Sequence, residues 1–342
     1  MKFYIAIPVY KAEAFLSDCV SSVLSQTCQD FEIVLVDDGS PDGSGRLCDE
    51  FAARDGRIHA IHQKNTGPYG ARRTAIRFIL DHGSPEDRAV FLDADDSLKP
   101  EALETLTRCI RETGADLVFL GEDQVYGGVV LRPFPRDMAY IGTVTDRRQL
   151  YKIVFQDGWY NPLWKKVPAL SLLPREDHPE FYPVRFGEDL LQSIPLYRDC
   201  RKAVFLPDSL YNYTQNPNSA TNGLGYEKYR VTSLVPETCW NFLNSQNVWN
   251  SEDFEEYMGW LRRLTRFQIW LVAKFATSAA NRCALLKAIS QDDFYAKIIA
   301  TAPKEDRCLT LMQKGRYRAL CAVGTAMRKL GDVRRWVRKK LP

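Results

Sequence analysis

Three acidic groups stand where folding alone has little use for them. Residues 91–100 read FLDADDSLKP, so Asp93, Asp95 and Asp96 crowd three carboxylates into four positions directly behind the apolar run Ala89-Val90-Phe91-Leu92. Asp37-Asp38-Gly39-Ser40 follows the apolar run 31–36, and Gly187-Glu188-Asp189 carries a further acidic pair. Carboxylates at one strand end repel each other unless a cation or hydrogen-bond donors compensate. A divalent ion resolves that conflict: Mg²⁺ or Mn²⁺ takes hard oxygen ligands, keeps most of its waters and bridges to substrate phosphates through one or two carboxylates. A nucleotide diphosphate is the natural partner for such an ion. Two plainer readings stand beside this one, since Asp, Gly and Ser also build turns and helix caps, and adjacent acids can simply match a helix dipole.

The elements that must position these groups follow from the apolar pattern. Phe3–Val9 reads as a strand, Ala14–Ser25 as a helix and Phe31–Val36 as a second strand. Ser44–Arg54 reads as helix, Ile58–His62 as strand, Ala71–Asp81 as helix and Ala89–Leu92 as strand. Strands separated by helices of this length predict βαβ units, an α/β fold and a mostly parallel sheet. Such a sheet binds ligands beyond the carboxyl ends of its strands. Asp37, Asp38, Asp93, Asp95 and Asp96 all fall at that edge. Beyond Gly223-Leu224-Gly225 the texture changes to long amphipathic runs, including Trp260–Phe275, and a domain boundary is expected there.

Composition narrows the class. The 342 residues are 45% hydrophobic and 26% charged, as in a globular chain with room for one large domain or two smaller ones. The net charge of +3 hides a split, because residues 301–342 hold 12 Lys and Arg against 3 Asp and Glu, while the rest hold 34 against 40. The nine cysteines are scattered, without C-x-x-C spacing, which argues against a zinc site or a disulfide framework. No stretch of 18 uninterrupted apolar residues occurs, and the N-terminal apolar run is too short for a signal peptide, so a reduced, cytoplasmic protein is expected. The first strand is followed by Pro8-Val9-Tyr10-Lys11-Ala12-Glu13 and not by G-x-G-x-x-G, and no P-loop motif is present. A site that holds its nucleotide by side chains and a metal remains.

At these residues the chain resembles a known family. IAIPVYKAEAFLSDCVSSVLSQT, FEIVLVDDGSPDGSG, KNTGPYGARRTAI and FLDADDSLKP, in that order across the first hundred residues, are similar to the GT-A domain of family 2 glycosyltransferases, which move a sugar from a nucleotide diphosphate with inversion. WYNPLWKK, VRFGEDLL and LYNYTQNPNSAT, within residues 159–221, are similar to that family's acceptor half. The resemblance implies a Rossmann-like nucleotide-sugar-binding sheet with flanking helices over residues 1–222. Residues 1–100 would form the donor-binding half and 101–222 the acceptor half, with a helical C-terminal region over 223–342.

Site roles carry over from the family by position. Pro8, Val9 and Tyr10, with Glu13 close behind, should line the base and ribose pocket, and Asp38 should accept the imide hydrogen of a uracil-like base while Asp37 caps the turn. Asn65, Gly67 and Arg72 match the segment that approaches the base and diphosphate; Gly67 gives backbone freedom. Arg72 offers phosphate a forked donor, the alternative being a solvated helix face. Asp93-Ala94-Asp95 matches the D-x-D motif, with Asp95 as direct ligand of Mn²⁺ or Mg²⁺ and Asp93 nearer the ribose or one layer out from the ion. Asp96 is read as a cap for the helix beginning near Pro100. Inverting displacement needs a base for the acceptor hydroxyl; Asp189 matches that position, and Glu188 orients it or contacts the donor.

Departures from the family pattern are Lys11 and Arg73, where Asn is usual, and Thr214, where Arg is usual. They bear on the donor sugar more than on the reaction. Trp159, Tyr160, Trp164, Phe181, Tyr182 and Phe186 either stack on an acceptor sugar, with Trp164 as first candidate, or pack in the core. Leu320, Val323, Met327, Leu330, Val333, Val337 and Leu341 form an apolar stripe among basic residues, with Trp336 near it. Residues 316–342 therefore suit either a peripheral contact with an anionic membrane or docking on the body. The reading is a metal-dependent inverting glycosyltransferase at the inner face of the cytoplasmic membrane, using a nucleotide-diphosphate sugar, with UDP as the expected nucleotide, and a glycan or lipid-linked saccharide acceptor; nucleic acid is not expected. The alternatives are a sugar-phosphate nucleotidyltransferase, against which the missing Gly-rich, Arg-containing loop counts, and a non-catalytic carbohydrate- or nucleotide-binding protein of the same fold.

Overall fold

A computed structural model of the chain describes residues 1–135, 140–155, 159–184, 187–215, 233–275 and 278–340. It divides into two compact units, residues 1–219 and 220–342. The boundary expected after residue 222, together with Phe186 and the end of LYNYTQNPNSAT, lies outside the described residues.

The first unit begins with the predicted alternation. β1 (Phe3–Val9), α1 (Leu16–Leu24), β2 (Phe31–Asp37), α2 (Ser44–Arg54), β3 (Ile58–His62), α3 (Gly67–His82) and β4 (Arg88–Phe91) follow in order. The strands form one parallel sheet, ordered β3-β2-β1-β4. Val9 lies opposite Asp37, and Asp37 opposite His62, so the strand ends are aligned at one edge. Parallel strands are covered on both faces, which is why they read as continuous apolar runs. Ile5, Ile7, Ile33 and Leu35 are fully buried, and such side chains each contribute about 1.5–3 kcal/mol on leaving water.

Two helices start elsewhere than the periodicity predicts. The chain from Ala12 to Phe15 turns before α1, which opens at Leu16. α3 opens at Gly67, four residues before Ala71, with Pro68 in its first turn, where a missing N–H costs nothing.

The rest of the first unit is built on a second, mixed sheet. β5 (Ser97–Leu98), α4 (Ala102–Thr113), β6 (Leu117–Tyr126), β7 (Val129–Arg132), β8 (Gly142–Val144), α5 (Arg147–Phe155), β9 (Lys166–Pro168), α6 (Glu188–Asp199) and β10 (Ala203–Thr214) follow one another. The order β5-β10-β6-β7 is extended by β8 on β10 and β9 on β6. β5 leaves the acidic loop after β4 and pairs with β10 at Tyr211 and Asn212. The two halves of the unit are thereby joined beside Asp93–Asp96.

The second unit is helical: α7 (Leu234–Gln246), α8 (Ser251–Phe275), α9 (Ala279–Gln291), α10 (Asp293–Ala300), α11 (Arg307–Gln313) and α12 (Tyr317–Lys340). Asp292 caps α10 by accepting from Phe294 and Tyr295 N–H. α12 docks on α8 inside this unit, where a Cβ on Gly324 would stand 2.5 Å from the Ala273 carbonyl oxygen. Leu320 is fully buried, whereas Val323 and Met327 are 44% and 40% exposed. The stripe is thus divided from its first members on; the side chains of Leu330, Val333, Trp336, Val337 and Leu341 lie outside the described residues. No described helix is long and apolar enough to cross a membrane.

Candidate active site

The aligned strand ends of the first sheet deliver the expected acids to one place, where each has a distinct environment. Asp37 accepts from Ser40 N–H at 3.0 Å and pairs with His62 Nδ1 at 3.0 Å, so it holds the turn. Asp38 is 3% exposed and turned toward α3. Its Oδ1 accepts from Thr66 N–H and Gln63 Nε2, and its Oδ2 from Gly67 N–H, each at 2.8 Å. It therefore satisfies amides that a helix N-terminus leaves without partners and places negative charge at the positive end of the helix dipole. This anchoring of α3 was not expected of Asp38 from the sequence. Gly67 carries φ +83°, which any side chain would resist. Asn65 donates to the Asp38 carbonyl at 2.9 Å.

Tyr10 is 47% exposed past the end of β1. Lys11 adopts φ +54°, a left-handed conformation that Asn accepts more readily than Lys; its ammonium lies 5.3 Å from the Tyr10 ring centre. Pro8 and Val9 end the strand. Glu13 accepts from Gly43 N–H at 3.0 Å and so fastens the start of α2. Its carboxylate is engaged there.

Asp93, Ala94 and Asp95 follow β4. Asp93 N–H donates to the Tyr211 hydroxyl at 3.2 Å, and that hydroxyl donates to Asp96 Oδ2 at 2.7 Å. Asp96 Oδ1 accepts from Thr214 N–H at 2.7 Å. Asp96 is therefore not the helix cap expected from the sequence: it is 3% exposed and ties the acidic loop to β10. Burial, with the charges of Asp93 and Asp95 added, pushes its carboxyl up to about 8.

Among the described residues no cluster of three or more His, Cys, Asp or Glu could enclose a metal ion. Asp93 and Asp95 offer two hard-oxygen side chains at the strand end, and Asp96 is committed to Tyr211 and Thr214. Two carboxylates completed by water and phosphate oxygens are the donor set Mg²⁺ or Mn²⁺ uses at a nucleotide. The residues fit such an ion and do not fit an all-protein cage.

Arg72 joins this edge to the start of α6. Its side chain is 5% exposed, which removes the solvated-face alternative. Nη2 donates to Asp93 Oδ1 at 2.9 Å; Nη1 donates to Asp189 Oδ1 at 2.7 Å and reaches Glu188 Oε1 at 3.5 Å. Burial opposes the charge of Arg72, but Asp189, Asp93 and Glu188 outweigh it and hold the guanidinium above its ordinary value. Glu188 and Asp189 open α6 behind Gly187, whose φ of +83° turns the chain into the helix. Burial, assisted by the charge of Asp189, pushes Glu188 up to about 7. Burial also raises Asp189 above an ordinary aspartate, against the pull of Arg72.

Lys166 was missed by the sequence reading. It is fully buried, and its Nζ donates to the carbonyls of Tyr160, Asn161 and Pro162 at 2.5, 3.0 and 2.8 Å. It draws that turn into a closed loop beside Asp189. Burial holds its pKa well below the ordinary lysine value, with the charge of Asp189 pulling the other way. The only signal for it was a second lysine in WYNPLWKK. Trp164, the first candidate for an acceptor platform, is 7% exposed and stacks on Tyr211 at 4.4 Å between ring centres. One face of its ring is thus covered by Tyr211. Arg73 is buried as well and donates to the carbonyls of Pro174, Arg175 and Glu176.

Residues 4–169 match the model of glycosyl transferase family 2. Among curated proteins the chain is 30% identical to the uncharacterized glycosyltransferase EpsJ of Bacillus subtilis, over 64% of this chain and 62% of that protein. It is 29% identical to glycosyltransferase GlyG of Streptococcus pneumoniae, over 63% of this chain and 71% of that one. The match thus spans less than two thirds of EpsJ. Among solved structures, S. aureus TarS 1–349 in complex with UDP-GlcNAc superposes with a TM-score of 0.67 at 18% identity, covering 96% of this chain and 92% of that one. Residues 4–169 are thus a family 2 glycosyltransferase domain, and the fold of the chain is the α/β GT-A fold followed by a helical C-terminal region.

Proposed function

We propose that the chain transfers a sugar from a nucleoside-diphosphate donor, with UDP as the nucleotide, to a hydroxyl of a glycan or lipid-linked acceptor, with inversion, in cell-surface polysaccharide synthesis. The observation that carries this reading is the ion network in which one buried arginine links Asp93, at the nucleotide edge of the first sheet, to the Glu188–Asp189 pair. That S. aureus TarS is solved with UDP and with UDP-GlcNAc supports the choice of donor class.

Asp189 is the base that takes the proton of the acceptor hydroxyl. Its raised pKa suits that work, because a general base serves best when its pKa lies near the operating pH. Leu163 N–H donates to its carboxylate, and Arg72 fixes one oxygen, which leaves Asp189 a defined direction of approach. Glu188, itself raised by burial and by the charge of Asp189, is its partner in charge. Tyr10 with Pro8 and Val9 line the base side, and Asn65 and Gly67 the approach to the diphosphate. Asp95 and Asp93 would hold Mn²⁺ or Mg²⁺, which supplies charge neutralisation for the departing diphosphate. Contact of residues 316–342 with an anionic membrane surface is a further part of the proposal, resting on their basic composition.

A thermal-shift screen of UDP-sugars with and without Mn²⁺, followed by UDP release from the ones that bind, tests this reading. Mn²⁺-dependent stabilisation and slow UDP release are expected. Binding without any release at all acceptor concentrations would leave a binding protein in place of an enzyme.

A further inference from the structure

Arg72 stands between two chemistries, and its hydrogen bonds say which one it serves. An arginine that clamps phosphate presents two parallel N–H groups to one anion. In Arg72 the two arms of the fork diverge. Nη2 goes to Asp93 on the loop after β4, at 2.9 Å, and Nη1 to Asp189 in the first turn of α6, at 2.7 Å. The arginine itself rises from α3, whose start is anchored by Asp38. It therefore connects three elements that approach the reaction from different sides, and it is buried while doing so.

We propose that Arg72 is a positioning residue, a strut of fixed length between the nucleotide-side carboxylate Asp93 and the base Asp189, which sets where the base stands relative to the reacting sugar carbon. The inference rests on the reading of Asp189 as base of a nucleotide-sugar transfer. It moves Arg72 from the diphosphate contact that the family resemblance implies to a role inside the protein. Lysine cannot replace it, because one ammonium on a flexible stem does not span two carboxylates with the geometry of a planar fork. A base displaced by about 1 Å costs on the order of a hundredfold in rate.

The test measures Arg72→Lys and Arg72→Ala in two ways: UDP affinity by calorimetry with Mn²⁺, and UDP release from a UDP-sugar that the wild-type chain consumes. For Arg72→Lys a strut predicts kcat lower by about a hundredfold, with UDP affinity and donor KM within about threefold of wild type, the pattern of an interaction felt in the transition state alone. Guanidinium chloride at low millimolar concentration should return part of the kcat of Arg72→Ala, while ammonium chloride should not; this arm works even where the lysine variant folds poorly. An Arg72→Lys protein that loses tenfold or more in UDP affinity and keeps its kcat gives the fork to the phosphates and overturns the strut alone. A wild-type chain that consumes no UDP-sugar overturns the transfer reading and the strut with it.

Discussion

Asp38→Asn separates the two tasks that this carboxylate could have. The substitution keeps shape and volume and changes one oxygen to an amide nitrogen. The best placement keeps oxygen where Oδ1 meets Thr66 N–H and Gln63 Nε2, so the new NH₂ must face Gly67 N–H, donor against donor. A buried amide left without an acceptor costs about 1–3 kcal/mol. The negative charge at the start of α3 is lost as well, worth up to about 2 kcal/mol where the terminus is partly buried. The sum is about 1–5 kcal/mol, and at about 2–4 °C per kcal/mol for a unit of this size the midpoint of thermal unfolding should fall by roughly 10 °C. Differential scanning calorimetry without any nucleotide reads this directly. A variant that melts with wild type, yet loses UDP affinity, would show that Asp38 serves the base and that its contacts with α3 contribute little.

Three further outcomes are expected. Asp189→Asn should lower UDP release by about 10²–10⁴-fold, the usual worth of a general base, with UDP affinity by calorimetry little changed; ordinary turnover would remove Asp189 from the mechanism. His62, held between Asp49 and Asp37, has a raised pKa, so its contribution to stability is fully present below the unfolded value of about 6.5 and is lost as pH rises through the folded value. The melting-point difference between wild type and His62→Ala should therefore shrink from pH 5.5 to pH 8.5, and a difference that grows would reverse the sign. Gly324→Ala puts a methyl against the Ala273 backbone, where overpacking costs about 1–3 kcal/mol; hydrogen exchange of α12 amides should accelerate, and unchanged protection would show that the helices part without strain.

What was legible in the sequence was what local periodicity can carry. β1, α2 and β3 begin and end where the apolar pattern predicts: β1 is buried along nearly its whole length, while α2 and β3 set their buried positions, Ser44 with Cys48 and Ile58, against the same core. The start of α3 escaped, since Gly67-Pro68 reads as a loop breaker until Asp38, 29 residues earlier, is seen to accept the Gly67 amide. Asp96 was read as a local cap because the partner that claims it, Tyr211, is 115 residues away. Lys166 gave almost no signal: a lysine is ordinarily solvated, and only three carbonyls converging in space explain a buried one. The strands of the second sheet were equally hard to read, as β5, β8 and β9 span two or three residues and β10 slips register between Phe205 and Tyr211.

The knot of Asp96, Tyr211 and Thr214 bears on how such enzymes can be recombined. A chimera that exchanges residues 101–215 between relatives, to alter which acceptor is used, leaves Asp96 in one parent while importing its two partners from the other. Unless the incoming segment brings a hydroxyl at 211 and an amide in register at 214, a carboxyl is stranded in the interior next to Asp93 and Asp95. Crossover points upstream of β4 would carry the knot across whole, together with Asp93 and Asp95, and would then require the Arg72 of one parent to meet the Asp93 and Asp189 of the other.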